Sequence, residues 1–383
     1  MAEPAVAFIS KRKLHIRRDQ VTREVQSEFE RTVRERAASM ERRNAWKSQG
    51  RGAMFMGMGA AGQAPADVPV MLTGVAPTPD GGLLYSLETD AVSGIFLRDQ
   101  NGLETRLFHT ADYRIRHISL HPEGKTIAAT VFHKDSMRSN IAWLPMHGTE
   151  LAEVTEGDSF DQSPRWVPGS ARRIVFQSTG IGRNAAGAMA GVAPSMIQEL
   201  DLDSGSLEDV AEEKGHDLIN PQRTADGTLY YIRKPYETHT TDASLLGSLK
   251  DAALFPFRMG QAIFQYFNVF SMMYTGKPLV TSKGAAQKRM DPRQMFINGN
   301  LAAARMGQGA DEEEQGKVPN SWELMRQGSR GSAEVVAKGV LSFDLSPDGG
   351  ILYSDGSAIH LAGPDGKAER LLKAEAIEQV VAL

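Results

Sequence analysis

The chain of 383 residues contains no cysteine. Disulfides, thiolate nucleophiles and zinc sites built on thiolates are excluded, and a chain this long can bury a sizeable core without such staples. A charge excess is also lacking. Lys and Arg number 43 against 47 Asp and Glu, a net −4 that gives no overall pull toward nucleic acid or acidic membranes. The start, "MAEPAVAFISKRKLHIRR", lacks the charged, apolar and small-residue order of a secretory signal, so a cytoplasmic protein is expected. There is no G-x-S-x-G elbow to support a serine hydrolase. "GIGRNAAG" (Gly180–Gly187) lacks the Lys-Ser/Thr and following helix of a phosphate loop. What remains, 41% hydrophobic and 23% charged, is ordinary globular material.

What is present is a repeat. "APTPDGGLLYSL" (Ala76–Leu87), "SLHPEGKTIAAT" (Ser119–Thr130), "PRWVPGSARRIVFQS" (Pro164–Ser178), "NPQRTADGTLYYI" (Asn220–Ile232) and "DLSPDGGILYSD" (Asp344–Asp355) share one plan. A short apolar strand meets Pro-Asp-Gly or a degraded form of it, and a second strand follows at once. Asp-Gly between strands signals a hairpin, because glycine supplies the positive φ of the turn. Asp80, Asp226 and Asp348 therefore read as turn residues rather than catalytic acids. A third strand and a short fourth follow, as in "SGIFLRDQNG" and "LETRLFH". Four antiparallel strands in about 40 residues, repeated, are the pattern of a β-propeller blade.

These units resemble the TolB-like, or PD40 (WD40-like), propeller repeat, with its Trp-Ser-Pro-Asp-Gly stretch leading into an apolar strand. "SPDGGILYSD" is a near match, and "RWVPGSARRIVFQS" keeps Trp166 but has lost Asp-Gly. The resemblance covers most of Gly74–Leu383. It implies the fold and leaves function open, since such repeats serve binding proteins, lyases and peptidase-associated domains.

The ends complete the count. "AIEQVVAL" at the C-terminus reads as a lone first strand, while "PAVAFISKRKLHIRRDQ" supplies a second strand, a Lys-Arg-Lys turn and a third. Joined, they form one blade, which removes an open apolar edge. The expected fold is all-β: a six-bladed β-propeller closed by both termini, with an N-terminal helix and a helical insertion in the fourth blade. The divisions are 1–19 for strands of the last blade, 20–48 for an amphipathic helix, 49–70 for a Gly/Ala/Met-rich linker and 71–237 for blades one to four. They continue with 238–320 for the insertion and 321–383 for the rest of blade four, blade five and the first strand of blade six.

The helix rests on Val21, Val25, Phe29, Val33, Ala37 and Met40 at helical spacing, with Glu30–Arg34 an attractive i,i+4 pair and Glu24–Glu28 a repulsive one. A second Gly/Ala-rich tract, Gly180–Pro194, is expected as a long mobile loop in the third blade. The core of the insertion, Ser248–Leu279, is apolar nearly all round. A helix of that kind must be buried in something. Pro256, Arg258 and a thin polar stripe count against a membrane span. Three placements stay open: against the propeller, in a protein–protein interface or self-association, or in the plane of a membrane. Phe255, Phe257, Ile263, Phe264, Phe267, Phe270 and Met273 are its candidate partner-binding residues.

In the propeller the loops entering each first strand are expected to line the channel. His117, His121, His216, Asp217 and Asn220 are the candidate channel ligands. His117 and His121 are four apart, a spacing that puts both on one face of a strand. No carboxylate is spaced to complete a metal-ligand set, so no metal and no cofactor is expected. The leading reading is a non-catalytic scaffold for protein–protein interaction. The alternative is a metal-assisted lyase or hydrolase in the channel, which the resemblance implies through oligogalacturonate lyases of this fold type.

Overall fold

Three turns show how local chemistry sets the hairpins. Thr78 Oγ1 donates to Asp80, Thr224 Oγ1 donates to Asp226, and Ser346 hydrogen-bonds Asp348. The following glycines, Gly81, Gly227 and Gly349, have φ of 81°, 86° and 85°. Each glycine N–H donates 3.0 Å back to the Thr or Ser carbonyl. A left-handed residue after a tight turn costs a glycine nothing, and it aligns the two strands in register.

The computed structural model describes residues 4–48, 70–236 and 318–383, apart from short breaks at 149, 170–171, 185–186, 188, 330 and 364–366. The linker and nearly all of the insertion, including Phe255, Phe257, Ile263, Phe264, Phe267, Phe270 and Met273, lie outside the described residues.

In chain order the elements are β1 (Val6–Ser10), β2 (Lys13–Arg18), β3 (Val21–Val25), α1 (Glu28–Ser48), β4 (Met71–Pro77), β5 (Leu83–Glu88), β6 (Ser93–Arg98) and β7 (Glu104–Thr110). Then come β8 (Arg114–Leu120), β9 (Thr126–His133), β10 (Arg138–Pro145), β11 (Ala152–Glu153), β12 (Ser159–Trp166), β13 (Arg173–Arg183), β14 (Met189–Val192), β15 (Met196–Asp201) and β16 (Leu207–Ala211). The last are β17 (His216–Arg223), β18 (Leu229–Pro235), β19 (Glu323–Gln327), β20 (Glu334–Lys338), β21 (Ser342–Leu345), β22 (Ile351–Ser354), β23 (Ala358–Ala362), β24 (Ala368–Lys373) and β25 (Ile377–Ala382).

The strands form antiparallel meanders: β4-β5-β6-β7, β17-β18-β19-β20 and β21-β22-β23-β24, each four-stranded. A nine-stranded sheet joins β8–β11 to β12–β16 through one parallel residue pair, Ser139 with Phe160. The remaining sheet runs β25-β1-β2-β3, so the C-terminal strand pairs with the N-terminal one, Val6 opposite Ala382 and Ile9 opposite Gln379. Strand β1 is buried at all five positions. It lacks polar alternation because both faces are covered. Ala7, Ile9 and Leu14 pack with Val75, Tyr85 and Phe96 on one side, and Val6, Phe8 and Val380 with Leu352 and Ile359 on the other. Fully burying one such side chain contributes about 1.5–3 kcal/mol.

The helix begins later than its apolar spacing predicts. Asp19 and Gln20 adopt φ of 49° and 62° and turn the chain back, so Val21–Val25 becomes a fourth strand on β2. Val21 is exposed there, and Glu24 pairs with Lys13 at 2.9 Å instead of facing Glu28 along a helix. Ser27 is the true cap, its Oγ accepting from the Glu30 N–H at 3.3 Å. Glu104 of β7 completes that end, accepting from the Glu28 N–H at 3.1 Å, the Phe29 N–H at 3.0 Å, Ser27 Oγ at 3.1 Å, and Tyr85 Oη. Phe29 and Val33 pack on the first blade's core, the Glu30–Arg34 pair closes to 2.9 Å, and Met40 is exposed. Phe29 and Val33 thus dock the first turns of the helix on that blade.

The tract from Gly180 contains a hairpin: β13 runs on to Arg183 and pairs with β14, Ile181 opposite Val192. Strands β18 and β19 pair from Leu229–Gln327 to Arg233–Glu323 across the interruption.

Candidate functional site

The axis is lined by the first strand of each four-stranded group, and several of these strands are not regular. Register shifts occur in β4 between Leu72 and Gly74, in β8 between Arg116 and Ser119, in β12 between Gln162 and Arg165, and in β17 between Ile219 and Gln222. In three of them a non-glycine residue takes the left-handed conformation: His117 (φ 46°), Ser163 (φ 54°) and Asn220 (φ 51°). Bulges of this kind re-aim neighbouring side chains, and here they turn residues toward the axis. At Gly74 a Cβ would lie 2.9 Å from the Ile118 N, so two neighbouring strands approach at that point as closely as only glycine allows.

Polar side chains link each lining strand to the next. Thr73 Oγ1 donates to Ile115 O at 2.9 Å, and the Ser163 N–H donates to Thr130 Oγ1 at 3.2 Å. Ser163 Oγ donates to Asn220 Oδ1 at 3.0 Å, and the Asn220 N–H donates to Gln177 Oε1 at 2.9 Å. Gln222 Nε2 donates to Phe343 O at 3.0 Å, and Ser342 Oγ accepts from the Val380 N–H at 3.1 Å. Gln379 Nε2 donates to Val75 O at 3.2 Å, which returns the cycle to β4. These bonds hold the lining in place and satisfy backbone groups that the bulges release.

Inside the cycle is a cavity of about 120 Å³, lined by Arg12, Thr73, Arg116, His117, Arg165, Asn220 and Glu378 among others. Three guanidiniums reach it from the β1–β2 turn, β8 and β12. Arg116 is tied to the fully buried Glu88, Nε to Oε2 at 3.0 Å, and Glu88 also faces Arg114 at 3.4 Å. Arg165 lies 3.6 Å from Asp344, an ion pair beyond hydrogen-bond reach. Burial pushes the Glu378 carboxyl up to about 8 against the opposing pull of Arg12. Burial likewise raises Asp344, with Arg165 opposing. His117 is held down to about 3, first by burial and then by the charges of Arg116 and Arg165, so it is neutral at pH 7.

Of the residues singled out by sequence, His117 and Asn220 line this cavity. His121 does not. The bulge after Arg116 breaks the two-residue alternation, and His121 stacks edge-on against Trp166, ring centroids 4.9 Å apart. His216 faces Glu213 at 3.1 Å. Asp217 is also spent on structure, accepting from the Ser195 N–H at 2.8 Å and pairing with Lys234 at 3.0 Å. Among the described residues no group of three or more His, Asp or Glu could hold a metal ion. Sequence reading missed Arg12, Arg116, Arg165 and Glu378. Arg12 stood in what read as a solvated Lys-Arg-Lys turn, and Arg116 sits beside the histidine that drew attention.

Meanders arranged around a bonded cycle of first strands define a β-propeller. Among solved structures, TolB from Acinetobacter baumannii matches with a TM-score of 0.51 and 13% identity, covering 98% of this chain and 66% of that one. A chain of a nidogen/laminin complex matches at 0.51 and 10% identity, over 100% of this chain and 99% of that one. The tricorn protease matches at 0.50 and 12% identity, over 100% of this chain and 34% of that one. At such identities the likeness is one of fold. The chain spans just under two thirds of the TolB chain. No family model and no curated protein matches the sequence. No helix among the described residues is long and apolar enough to cross a membrane.

Proposed function

We propose that this chain is a non-catalytic, TolB-like propeller of six blades that acts as a rigid scaffold, with segment 238–320 as its contact with a protein partner. One observation carries the reading. The sheet β17-β18-β19-β20 is complete without that segment, its five β18–β19 residue pairs running in unbroken register. The chain outside the sheet is therefore not needed to satisfy the sheet's backbone, and its dense Phe and Met content serves another purpose. Its roots support a single exit face. The Tyr236 N–H donates to Gly215 O at 2.9 Å beside the start of β17, and the Val318 N–H donates to Asp355 O at 3.0 Å beside the start of β21.

The test is to replace residues 238–317 by a short Gly/Ser linker. Unchanged circular dichroism together with loss of a co-purifying protein supports the reading. Loss of self-association or of a membrane fraction instead assigns the segment to a second copy or to lipid. A deletion that alters none of these sinks it. Metal analysis of the purified chain tests the rival, since stoichiometric Mn, Zn or Ca would favour a metal-assisted lyase or hydrolase.

A further inference from the structure

We propose that the axial cavity is a binding site for a small monocarboxylate anion. The proposal is independent of the insertion and rests on the size, charge and donor geometry of the channel.

At about 120 Å³ the cavity has room for several waters or for a small organic anion. Its charge is unbalanced. Among the described residues, three guanidiniums (Arg12, Arg116, Arg165) line the cavity with one carboxyl, Glu378, while Glu88 and Asp344, which do not line it, pair with Arg116 and Arg165. A guanidinium stays charged even where burial lowers its pKa, as at Arg12. With Glu378 neutral at pH 7, three guanidiniums against Glu88 and Asp344 leave a surplus of one positive charge, which a singly charged carboxylate neutralises and a doubly charged phosphate overfills.

Donor geometry agrees. Arg116 Nε and Nη2 are both spent on Glu88, at 3.0 and 2.9 Å. Among the described residues Arg165 is held by the 3.6 Å ion pair to Asp344, beyond hydrogen-bond reach, which leaves its planar fork to meet a carboxylate edge-on. The bonded cycle fixes the strands that carry these groups, so ordering them on binding costs little.

Glu378 adds a pH signature. Arg12 on the turn beside it attracts Glu378, Arg116 and Arg165 line the same cavity and are paired with Glu88 and Asp344, and His117 is neutral. Below pH 8 Glu378 is a neutral acid that can donate its O–H to an anion. Above pH 8 it becomes a second anion in the same cavity and repels the first.

The experiment titrates the full chain with acetate, lactate, succinate and inorganic phosphate by calorimetry, at pH 7 and pH 9 and constant ionic strength. Expected is saturable binding of acetate or lactate that weakens about tenfold between the two pH values, as a group titrating near 8 requires. Glu378→Gln should abolish that pH dependence. Arg165→Gln should weaken binding about ten- to a hundredfold, the worth of a charge-assisted hydrogen bond. Should Arg165→Gln not fold, Arg165→Lys keeps the charge without the fork and should cost about tenfold. The proposal is overturned if folded protein binds neither monocarboxylate saturably. It is equally overturned if phosphate or succinate binds more tightly, or if the Arg165 variant that folds binds like the parent.

Discussion

Two sheets of this propeller are each assembled from strands far apart in sequence. In one, β25 meets β1 and the ends of the chain share a sheet. In the other, β18 meets β19 across 87 intervening residues, 236 to 322. The seams differ in position and finish. The terminal seam lies between the first and second strands, deep against the axis, and has a bulge at Ile9/Ser10. The interrupted seam lies one strand further out, runs without a bulge, and is clamped by Arg233, whose Nη2 is 2.5 Å from Glu323. An interruption is tolerated where it only lengthens a loop between already-registered strands, because loop closure grows costly slowly with length. A gap in the inner strand would open the ring.

That contrast can be broken directly. Removing Ile377–Leu383 strips the terminal sheet of its axial strand, with Ile377, Val380 and Val381 all fully buried, and exposes the edge of β1. No folded monomer is expected by gel filtration and circular dichroism. Replacing 238–317 should by comparison leave the melting temperature within a few degrees. If the truncated chain folds like the parent, the ring does not depend on its seam. Point changes sharpen the picture. Ile377→Ala and Leu324→Ala each truncate a side chain of zero exposure, one at each seam, and each should cost about 2–5 kcal/mol by urea unfolding. A single shared transition in both variants makes the two seams parts of one cooperative unit, whereas a separate early transition for Ile377→Ala would divide them.

Smaller effects follow from charge. A carboxyl raised to about 8 in the fold resists ionisation, so the parent should lose stability as pH climbs from the ordinary glutamate value of 4.5 toward 8. Glu378→Gln should flatten that window and exceed the parent in melting temperature at pH 9, where the two proteins differ most. The smallest change expected is Glu323→Gln at the interrupted seam, about 1 kcal/mol for a partly exposed pair. Its hydrogen bond from Arg233 outweighs desolvation and holds Glu323 below 4.5, so this contribution is present at neutral pH and vanishes as pH falls through the carboxylate range.

Hairpins were legible in the sequence because their cause is local. Asp80, Asp226 and Asp348 announce turns that three or four neighbouring residues suffice to build. The partnership of "AVAFIS" with "IEQVVAL" was legible for another reason: a lone first strand at one end and a second and third strand at the other add up to one blade of the repeat. The helix start was misread because Val21, Val25 and Phe29 happen to fall at helical spacing. Ser27-Glu28-Phe29-Glu30, a serine three residues before a glutamate, was the better marker of where it begins. The site was largely hidden. Left-handed His117, Ser163 and Asn220 have no glycine to advertise them, and they exist because neighbouring blades crowd the axis. Arg12, Arg116 and Arg165 lie in three separate units and converge only when the ring closes.

The antiparallel pairing of β1 with β25 has a mechanical consequence. Val6 sits opposite Ala382, and the Leu383 N–H donates to Ala5 O at 3.0 Å, so the two ends leave the same corner of the sheet. Tension between objects tethered to those ends would load the bonds one after another, like a zipper drawn from its open end, and the seam would yield at low force. Tension between one end and segment 238–317 would instead be spread over several blades at once, and the molecule should resist it far longer.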